Sequence, residues 1–415
     1  MHFGKTFAAL LLGAASAAAI NSASHAADAV SAESPAAFNW SGIYVGFGGG
    51  VGAALNGLGF AGADLNALGG DGVYGELTVG YDHMLTDRLL IGAFADARFG
   101  NVGSNFFLPP DSSIEGKYGF DGGFRLGYLV TPTTLGFVSA GYSWQHFELT
   151  GIGASLDWNA DGYFAGAGIE TVLTGNWTLK SEYRYANYGT ANPFDAPGLL
   201  DVDSSTHTFT VAANYRFGGQ NGETSAIEAQ AYNWTGFYVG GAIGAGAMVN
   251  EEISLGLPFA VSGDGVFAEA SIGYDHEFGE HWVLGALVDG RISGISSKSD
   301  FGGSGFEFKS DYGFDVLARG GVKLSATTLA YALVGYSWQH FKAEPYGAGA
   351  PPSLTDSSSG FVVGAGLEAA LTDKTALNLE YRYAKYGNVD FGTGASNGIE
   401  PDFHTIRVGA KYKFN

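Results

Sequence analysis

The sequence predicts an all-β protein made of two tandem eight-stranded antiparallel transmembrane β-barrels. Three observations predict this fold class. The second half of the chain repeats the first, apolar and polar residues alternate along each segment, and short connections alternate with long ones. Alternation with a period of two is the pattern of strands whose two faces meet different surroundings.

The repeat is clearest in the heptapeptide Gly-Tyr-Ser-Trp-Gln-His-Phe, which occurs unchanged at residues 141–147 and again at 335–341. A second match is Glu-Tyr-Arg-Tyr-Ala, at 182–186 and 380–384. Solenoid repeats have periods of roughly 20–50 residues, so a much longer period indicates a duplicated domain. The chain is therefore predicted to contain the same domain twice.

Each half contains eight alternating segments. In the fourth, Tyr118, Phe120 and Phe124 share one face, whereas Asp121 and Arg125 share the other. The segments of the first half lie near residues 40–54, 73–85, 88–100, 116–130, 134–149, 160–173, 176–188 and 206–217. Those of the second half lie near 234–249, 266–277, 282–295, 310–324, 328–343, 360–371, 375–387 and 403–414.

The connections indicate that the apolar faces meet lipid. Tight turns and longer loops alternate strictly, as they do between the periplasmic and extracellular sides of outer-membrane barrels. The long loops of the first half are predicted at 55–72, 101–115, 150–159 and 189–205. An even strand number also lets the sheet close, so that no backbone edge stays unpaired in hydrocarbon.

The tryptophans are predicted to form aromatic girdles at the two membrane edges. Nine residue steps separate Leu135 from Trp144, which at about 3.3 Å each and a tilt of about 40° rise roughly 23 Å. That height matches an apolar band about 25 Å tall. The outer girdle is predicted at Trp144 and Trp338, and the inner one at Trp40, Trp177, Trp234 and Trp282.

The inward faces carry charges of both signs. An eight-stranded barrel is only wide enough to be filled by its own side chains, and buried charges need partners. We therefore interpret the charges as a structural ion-pair network, with an ion or proton path as the functional alternative. The network is predicted to contain Glu76, Asp96, Arg98, Asp121, Arg125, Glu170, Glu182, Arg184, Glu269, Asp289, Arg291, Asp315, Arg319, Glu368, Glu380 and Arg382, with Asp82, Lys180, Arg216 and Asp275 on the same faces.

Composition limits the function classes. The chain has 415 residues, no cysteine and a formal net charge of −21, which argues against disulfides, thiolate metal sites and nucleic-acid binding. Residues 1–26 form a predicted secretory signal peptide, with Lys5 before an apolar run and small residues before a cleavage site after Ala26. A polar spacer is predicted at 27–38.

The linker decides between two architectures. The first barrel is predicted at 39–217, the linker at 218–232 and the second barrel at 233–415. The linker is longer than the other turns, and both ends of an even-stranded barrel lie on the periplasmic side, which favours two barrels. The alternative is one fused sixteen-stranded barrel, which would leave an aqueous channel for small solutes.

These residues resemble the small outer-membrane β-barrels of the porin-like, OmpA-type group, often called outer-membrane immunogenic proteins. The resemblance lies in Asn-Trp-(Ser/Thr)-Gly-(Ile/Phe)-Tyr-Val-Gly at the start of each half, Glu-Tyr-Arg-Tyr in its seventh segment, and a closing Tyr-Arg-Phe or Tyr-Lys-Phe. It implies an eight-stranded barrel in the bacterial outer membrane, with roles in envelope integrity and surface antigenicity. Such proteins usually carry one barrel per chain, so the duplication departs from the family.

The sequence thus predicts a non-enzymatic outer-membrane protein that contributes envelope structure and exposed loops, with no cofactor and no metal. Expected partners are outer-membrane lipid, the barrel-assembly machinery, and a host or small-molecule ligand at the extracellular loops. Ser143 and His146 could suggest an enzyme, but residues three apart on a strand point to opposite faces. Asp157 begins a calcium-loop-like segment that lacks the glutamate required at its twelfth position.

Overall fold

The computed structural model describes residues 38–60, 63–106, 112–151, 155–194, 200–221, 232–253, 262–391 and 399–414. The predicted signal peptide, and the predicted spacer up to residue 37, lie outside these residues. Within the described ranges, no helix combines the length and the hydropathy that crossing a bilayer requires.

The first half forms a closed antiparallel barrel of eight strands. Each strand pairs with the next, and β8 returns to pair with β1, with Phe209 opposite Val51. The strands are β1 (Gly42–Phe60), β2 (Ala63–Met84), β3 (Leu89–Phe106), β4 (Ser112–Thr131), β5 (Thr134–Thr150), β6 (Leu156–Thr174), β7 (Trp177–Ala191) and β8 (Asp201–Arg216).

The second half repeats this barrel, and its last strand, β17, closes onto its first, β9. Its third segment is broken at Gly294 and Ile295, so that β11 and β12 together occupy one position in the barrel. The strands are β9 (Gly236–Ile253), β10 (Gly263–Phe278), β11 (Trp282–Ser293), β12 (Ser296–Asp300), β13 (Gly305–Lys323), β14 (Thr328–Tyr346), β15 (Leu354–Ala370), β16 (Thr375–Tyr386) and β17 (Ile399–Lys413).

The two closures confirm the predicted pair of eight-stranded barrels and exclude the single sixteen-stranded alternative. The barrels lie side by side. A short ladder also joins them, because Ser299 and Asp300 of β12 pair with the backbone of Leu65 and Asp64 in β2.

The strands are longer than the alternation predicted. Much of the predicted loop 55–72 is strand, since β1 runs to Phe60 and β2 begins at Ala63. The predicted loops at 101–115 and 150–159 are shortened in the same way. Ladder hydrogen bonds need only paired backbones, so a hairpin can continue where the period of two has disappeared.

Burial alternates along the strands as the two-faced pattern requires. On β4, Asp121 and Arg125 are each 3% exposed, whereas Phe120 and Phe124 on the other face are 55% and 70% exposed. The charged face therefore forms the interior of each barrel, and the apolar face forms its outer surface.

Candidate functional site: the charged barrel interiors

A compact ion-pair cluster fills the first barrel near its short turns. Arg125 Nη1 lies 2.8 Å from Glu170 Oε2, and Arg216 Nη2 lies 3.0 Å from Glu170 Oε1. Both guanidinium groups also bind Asp82, with Arg216 Nη1 2.8 Å from its Oδ2. The ring of Tyr44 faces both arginines, at 4.7 and 4.8 Å. Two cations and two carboxylates are thus paired on several sides.

A glycine makes room for this cluster. A Cβ at Gly92 would lie 2.0 Å from Asp82 Oδ1, and a Cβ at Gly285 would lie 2.0 Å from the equivalent Asp275 Oδ1 in the second barrel. Any larger residue would displace the carboxylate from its partners. Glycine in these strands therefore serves the packing of the interior.

A second cluster lies farther along the first barrel and centres on Arg184. Its Nη1 lies 2.6 Å from Asp96 Oδ2 and 3.0 Å from Asp121 Oδ2, and its Nη2 lies 3.0 Å from Glu182 Oε2. Arg98 adds a contact of 2.9 Å to Asp121. One guanidinium therefore joins carboxylates from three strands.

The second barrel contains the equivalent clusters. Arg382 Nη1 lies 2.7 Å from Asp289 and 2.8 Å from Asp315, and its Nε lies 2.6 Å from Glu380. Arg291 binds Asp315 at 2.7 Å. Nearer the short turns, Glu368 Oε2 accepts hydrogen bonds from Arg319 at 2.9 Å and from Lys411 at 2.7 Å.

One cation occupies different strands in the two barrels. Lys180 of β7 lies 3.1 Å from Glu76 and 2.9 Å from Glu182. The matching position in the second barrel is Asn378, and the cation is instead Arg407 of β17. The second barrel thus reaches the same carboxylate pair from the neighbouring strand.

Arg407 lies 2.9 Å from Glu269 and 3.8 Å from Glu380, the counterparts of Glu76 and Glu182. Arg407, Lys411 and Lys413 are absent from the network predicted from the sequence. Their spacing could have revealed them, because strand residues separated by even numbers point to the same face, and all three are so separated.

Two small cavities lie among the described interior residues. A cavity beside Arg98, Gln145 and Tyr188 measures about 30 Å³, and one beside Arg291 and Arg382 about 20 Å³. Each volume corresponds to about one water molecule. The arginines beside them, Arg98 and Arg382, are 8% and 2% exposed, so side chains fill the described part of each interior.

Four of the six predicted girdle tryptophans lie on the outer surface. Trp144 stacks on Phe120 and Trp338 on Phe314, at ring distances of 5.9 and 5.6 Å. Trp177 and Trp282 are 37% and 56% exposed. All four side chains therefore point outward, as strand parity predicts.

The girdle prediction is wrong for Trp40 and Trp234, which are only 2% and 1% exposed. Both precede the first strand of their barrel, so strand parity does not set their direction. Trp40 Nε1 donates to Pro132 O at 3.2 Å, and the Arg216 guanidinium lies 4.8 Å from its ring. The two tryptophans cover the charged interior at the short-turn end instead of facing lipid.

Comparison with known proteins identifies the family. The model of the outer membrane protein beta-barrel domain matches residues 6–217 and again 224–414. A 31 kDa outer-membrane immunogenic protein of Brucella melitensis is 29% identical, over 43% of this chain and 85% of the relative. A 25 kDa outer-membrane immunogenic protein of Brucella abortus is 31% identical, over 45% of this chain and 82% of the relative.

Among solved structures, Neisserial surface protein A is 22% identical, with a TM-score of 0.30, over 43% of this chain and 98% of that protein. Each of the two Brucella proteins matches less than half of this chain, while more than four fifths of its own length is covered. Together with the twofold match of the family model, this shows that the chain belongs to the outer-membrane β-barrel protein family and carries the family's barrel domain twice.

Proposed function

We propose that this outer-membrane protein is a non-enzymatic component of the cell envelope, and that neither of its barrels conducts solutes. The observation that carries the proposal is the network of buried ion pairs in the interior of each barrel. Its ion pairs cross the barrel between strands that are not neighbours, such as Arg125 on β4 with Glu170 on β6.

The energetics favour a structural role for the charges. Removing one partner of a buried ion pair costs about 3–5 kcal/mol, because the other charge stays buried and unpaired. A solute moving through the first barrel would have to separate the groups around Arg184 and then those around Arg125. That barrier opposes the ion or proton path considered from sequence.

The chemistry of the outer surface supports contact with lipid, and it is also the basis for proposing the other partners. The exposed apolar side chains fit a hydrocarbon band, with Trp144, Trp177, Trp282 and Trp338 as girdle residues. We propose that the barrel-assembly machinery inserts the chain. The relatives named as immunogenic proteins support surface display of the long hairpins, where a host or small-molecule ligand would bind.

The non-enzymatic part of the proposal rests on the faces of the strands. Ser143 points inward and donates to Asp121 Oδ1 at 2.6 Å, whereas His146 lies on the outer surface and stacks on Tyr118. The nucleophile and the base of such a pair therefore lie on opposite sides of the barrel wall.

Conductance in planar bilayers tests the packed interior. The full-length protein should give no stable openings while it is inserted. Insertion is checked through Ala350→Cys, an exposed position between β14 and β15 in a chain that otherwise lacks cysteine. Large, stable openings in bilayers that contain the labelled protein would overturn the proposal.

Cysteine labelling also tests the proposed periplasmic linker. Ser225→Cys in intact cells should stay unlabelled by a membrane-impermeant thiol reagent, whereas Ala350→Cys should react. Labelling of both positions from outside would place the linker at the cell surface and contradict the arrangement.

A further inference from the structure

The outer surfaces of the two barrels meet along one side, which we call the seam. Its apolar part consists of outward-facing residues that are buried between the barrels, whereas outward-facing residues on the other sides of the barrels are exposed. The ring of Phe209 stacks on that of Tyr381 of the other barrel at 5.1 Å. The apolar seam contains Val51, Ile169, Leu179 and Phe209 of the first barrel, and Val363, Leu367, Leu379, Tyr381, Tyr383 and Ile406 of the second.

The seam has approximate twofold symmetry. Thr134 Oγ1 lies 2.8 Å from Thr328 Oγ1, and these threonines are the same position of the repeat, each opening the fifth strand position of its barrel. In a twofold contact, a residue near the axis meets its own counterpart, and a contact of i with j is matched by one of j with i. The threonine pair meets the first condition.

Two crossed polar contacts meet the second condition. His207 Nε2 of the first barrel lies 3.4 Å from Asp264 Oδ2 of the second. His404 Nε2 of the second barrel lies 3.9 Å from Asp71 Oδ2 of the first. Both aspartates are the second residue of a Gly-Asp-Gly-Val sequence, at 70–73 and 263–266.

A tyrosine orients each of these histidines. The Tyr183 hydroxyl lies 2.7 Å from His207 Nδ1, and the Tyr381 hydroxyl lies 2.7 Å from His404 Nδ1. With one ring nitrogen held within its own barrel, each imidazole directs the other nitrogen toward the aspartate of the partner barrel. The same three-residue arrangement therefore occurs twice, once in each direction across the seam.

The polar contacts lie at the two edges of the membrane. Nine residue steps separate His207 from Arg216 at the short-turn end of β8, which corresponds to a rise of roughly 23 Å and thus to the outer edge of the apolar band. Thr134 directly follows the turn at 132–133, at the inner edge. Since lipid chains are as apolar as leucine, apolar contact alone gives little preference for one partner or one alignment.

We propose that the seam is a specific docking surface on which each barrel recognises the other as a second copy of itself. The barrels stay paired without the linker, and the crossed Tyr–His–Asp contacts fix their alignment. This inference concerns the pairing of the barrels and does not depend on whether their interiors conduct.

Cleavage of the linker tests the pairing. A site-specific protease sequence is inserted within residues 222–231 of the full-length protein, which is then purified in mild detergent and cut. The two fragments should co-elute as one complex. Separation of the wild-type fragments into independent folded barrels would overturn the proposal.

Matched histidine variants test the crossed contacts in the cleavable protein. His207→Phe/His404→Phe should weaken association of the fragments at least tenfold. His146→Phe/His340→Phe removes the same side chains from equivalent outer positions stacked on Tyr118 and Tyr312, and should leave association unchanged. Equal effects of the two double variants would contradict the assigned role.

A variant that preserves side-chain size covers the case in which the phenylalanine variant fails to fold. Asp71→Asn/Asp264→Asn removes the negative charges that face the imidazoles, and it should also weaken association at least tenfold. Unchanged association of this folded variant would contradict the proposal.

Disulfide formation tests the alignment in the intact chain. Thr134→Cys/Thr328→Cys should cross-link within one molecule under oxidising conditions, so that after cleavage of the linker the two fragments separate on a denaturing gel only after reduction. Asp87→Cys/Glu280→Cys, in exposed turns that lie outside the seam, is the control and should not cross-link. Failure of the threonine-site pair to react would refute the twofold alignment.

Discussion

At the residue scale, the two barrels keep the same carboxylates and change the cation that neutralises one pair of them. Lys180 serves Glu76 and Glu182 from β7, whereas Arg407 serves Glu269 and Glu380 from β17. Arg407 can take the place of the lysine because it lies directly opposite Glu380 in the ladder between β16 and β17. The requirement is therefore for a positive charge at one point in the interior, and not for a lysine at one position of the sequence.

A variant that moves the positive charge from β7 to β8 tests that requirement. Lys180→Asn leaves two carboxylates without their lysine, and we expect a loss of about 3–5 kcal/mol in the free energy of unfolding. Adding Thr210→Arg and Tyr74→Phe, the residues found in the second barrel, should restore most of it. Denaturant unfolding in lipid bilayers measures both changes.

The matched control is Lys309→Asn, which removes a partly exposed lysine beside Glu307 and Glu344. Exposed ion pairs contribute about 0–1 kcal/mol, so its effect should be small. A destabilisation by Lys180→Asn no larger than the control's would show that the interior charges are not stabilised by pairing.

Replacing a buried tryptophan should lower the free energy of unfolding more than replacing an outward-facing one. Trp40→Ala removes a buried ring that contacts Arg216 and hydrogen-bonds to Pro132, and should cost about 3–5 kcal/mol. Trp177→Ala removes a ring from the outer surface of the same barrel and should cost clearly less. Unfolding of the two variants side by side gives the comparison, and a larger effect at Trp177 would contradict the assigned positions.

At the element scale, the strands continue beyond the predicted segments, and local contacts hold their ends. At the end of β12, Asp300 Oδ1 accepts a hydrogen bond from Gly303 N at 2.9 Å, and the Tyr346 hydroxyl donates to Asp300 Oδ2 at 2.8 Å. Gly302 and Gly303 have φ of +74° and +95°, which favours glycine in this turn. These contacts hold the turn after β12 against the end of β14.

The Asp300 turn should loosen in acid. The hydrogen bond from the Gly303 backbone, followed by that from Tyr346, lowers the pKa of Asp300, and desolvation together with the bond to Asp300 raises the pKa of Tyr346 to about 12. A lowered pKa in the folded state stabilises the turn above the unfolded value of about 3.9, and this stabilisation is lost as the pH falls through the lowered pKa.

Hydrogen exchange of residues 300–304 at pH 6 and pH 3, corrected for intrinsic rates, measures the effect. Protection should fall in the wild type at the lower pH. Asp300→Asn cannot titrate and should show no such additional loss. Identical pH responses of the two proteins would show that Asp300 does not control the turn.

At the scale of the whole molecule, two closed barrels with separate interiors share one outer seam. The ion pairs around Arg184 involve only first-barrel residues, and those around Arg382 only second-barrel residues. Among the described residues, contact between the halves therefore runs through the seam and the short β12–β2 ladder.

Interior variants of the two barrels should be additive. Arg184→Ala and Arg382→Ala should each destabilise their own barrel, and the double variant should show the sum within about 0.3–0.5 kcal/mol, as for sites without shared partners. Chemical unfolding of the three variants in one lipid system provides the numbers. A large coupling energy would show that the interiors communicate through the seam.

The sequence by itself determined the duplicated all-β fold, the inward and outward faces of most strands, and the pairing of opposite charges inside. Alternation gives this information because every strand residue points to one of two sides, and lipid and interior select opposite chemistry. The resemblance seen in Glu-Tyr-Arg-Tyr and the opening motifs also led to the correct family.

Only the tertiary structure decided which outward residues leave the lipid and where residues outside the strands point. Alternation marks Leu179, Phe209 and Ile406 as outward, but their burial depends on the second barrel packed against them. Trp40 precedes the first strand, so its direction follows from the arginine and the turn that it covers. Such contacts join residues far apart in the chain, and no local pattern encodes them.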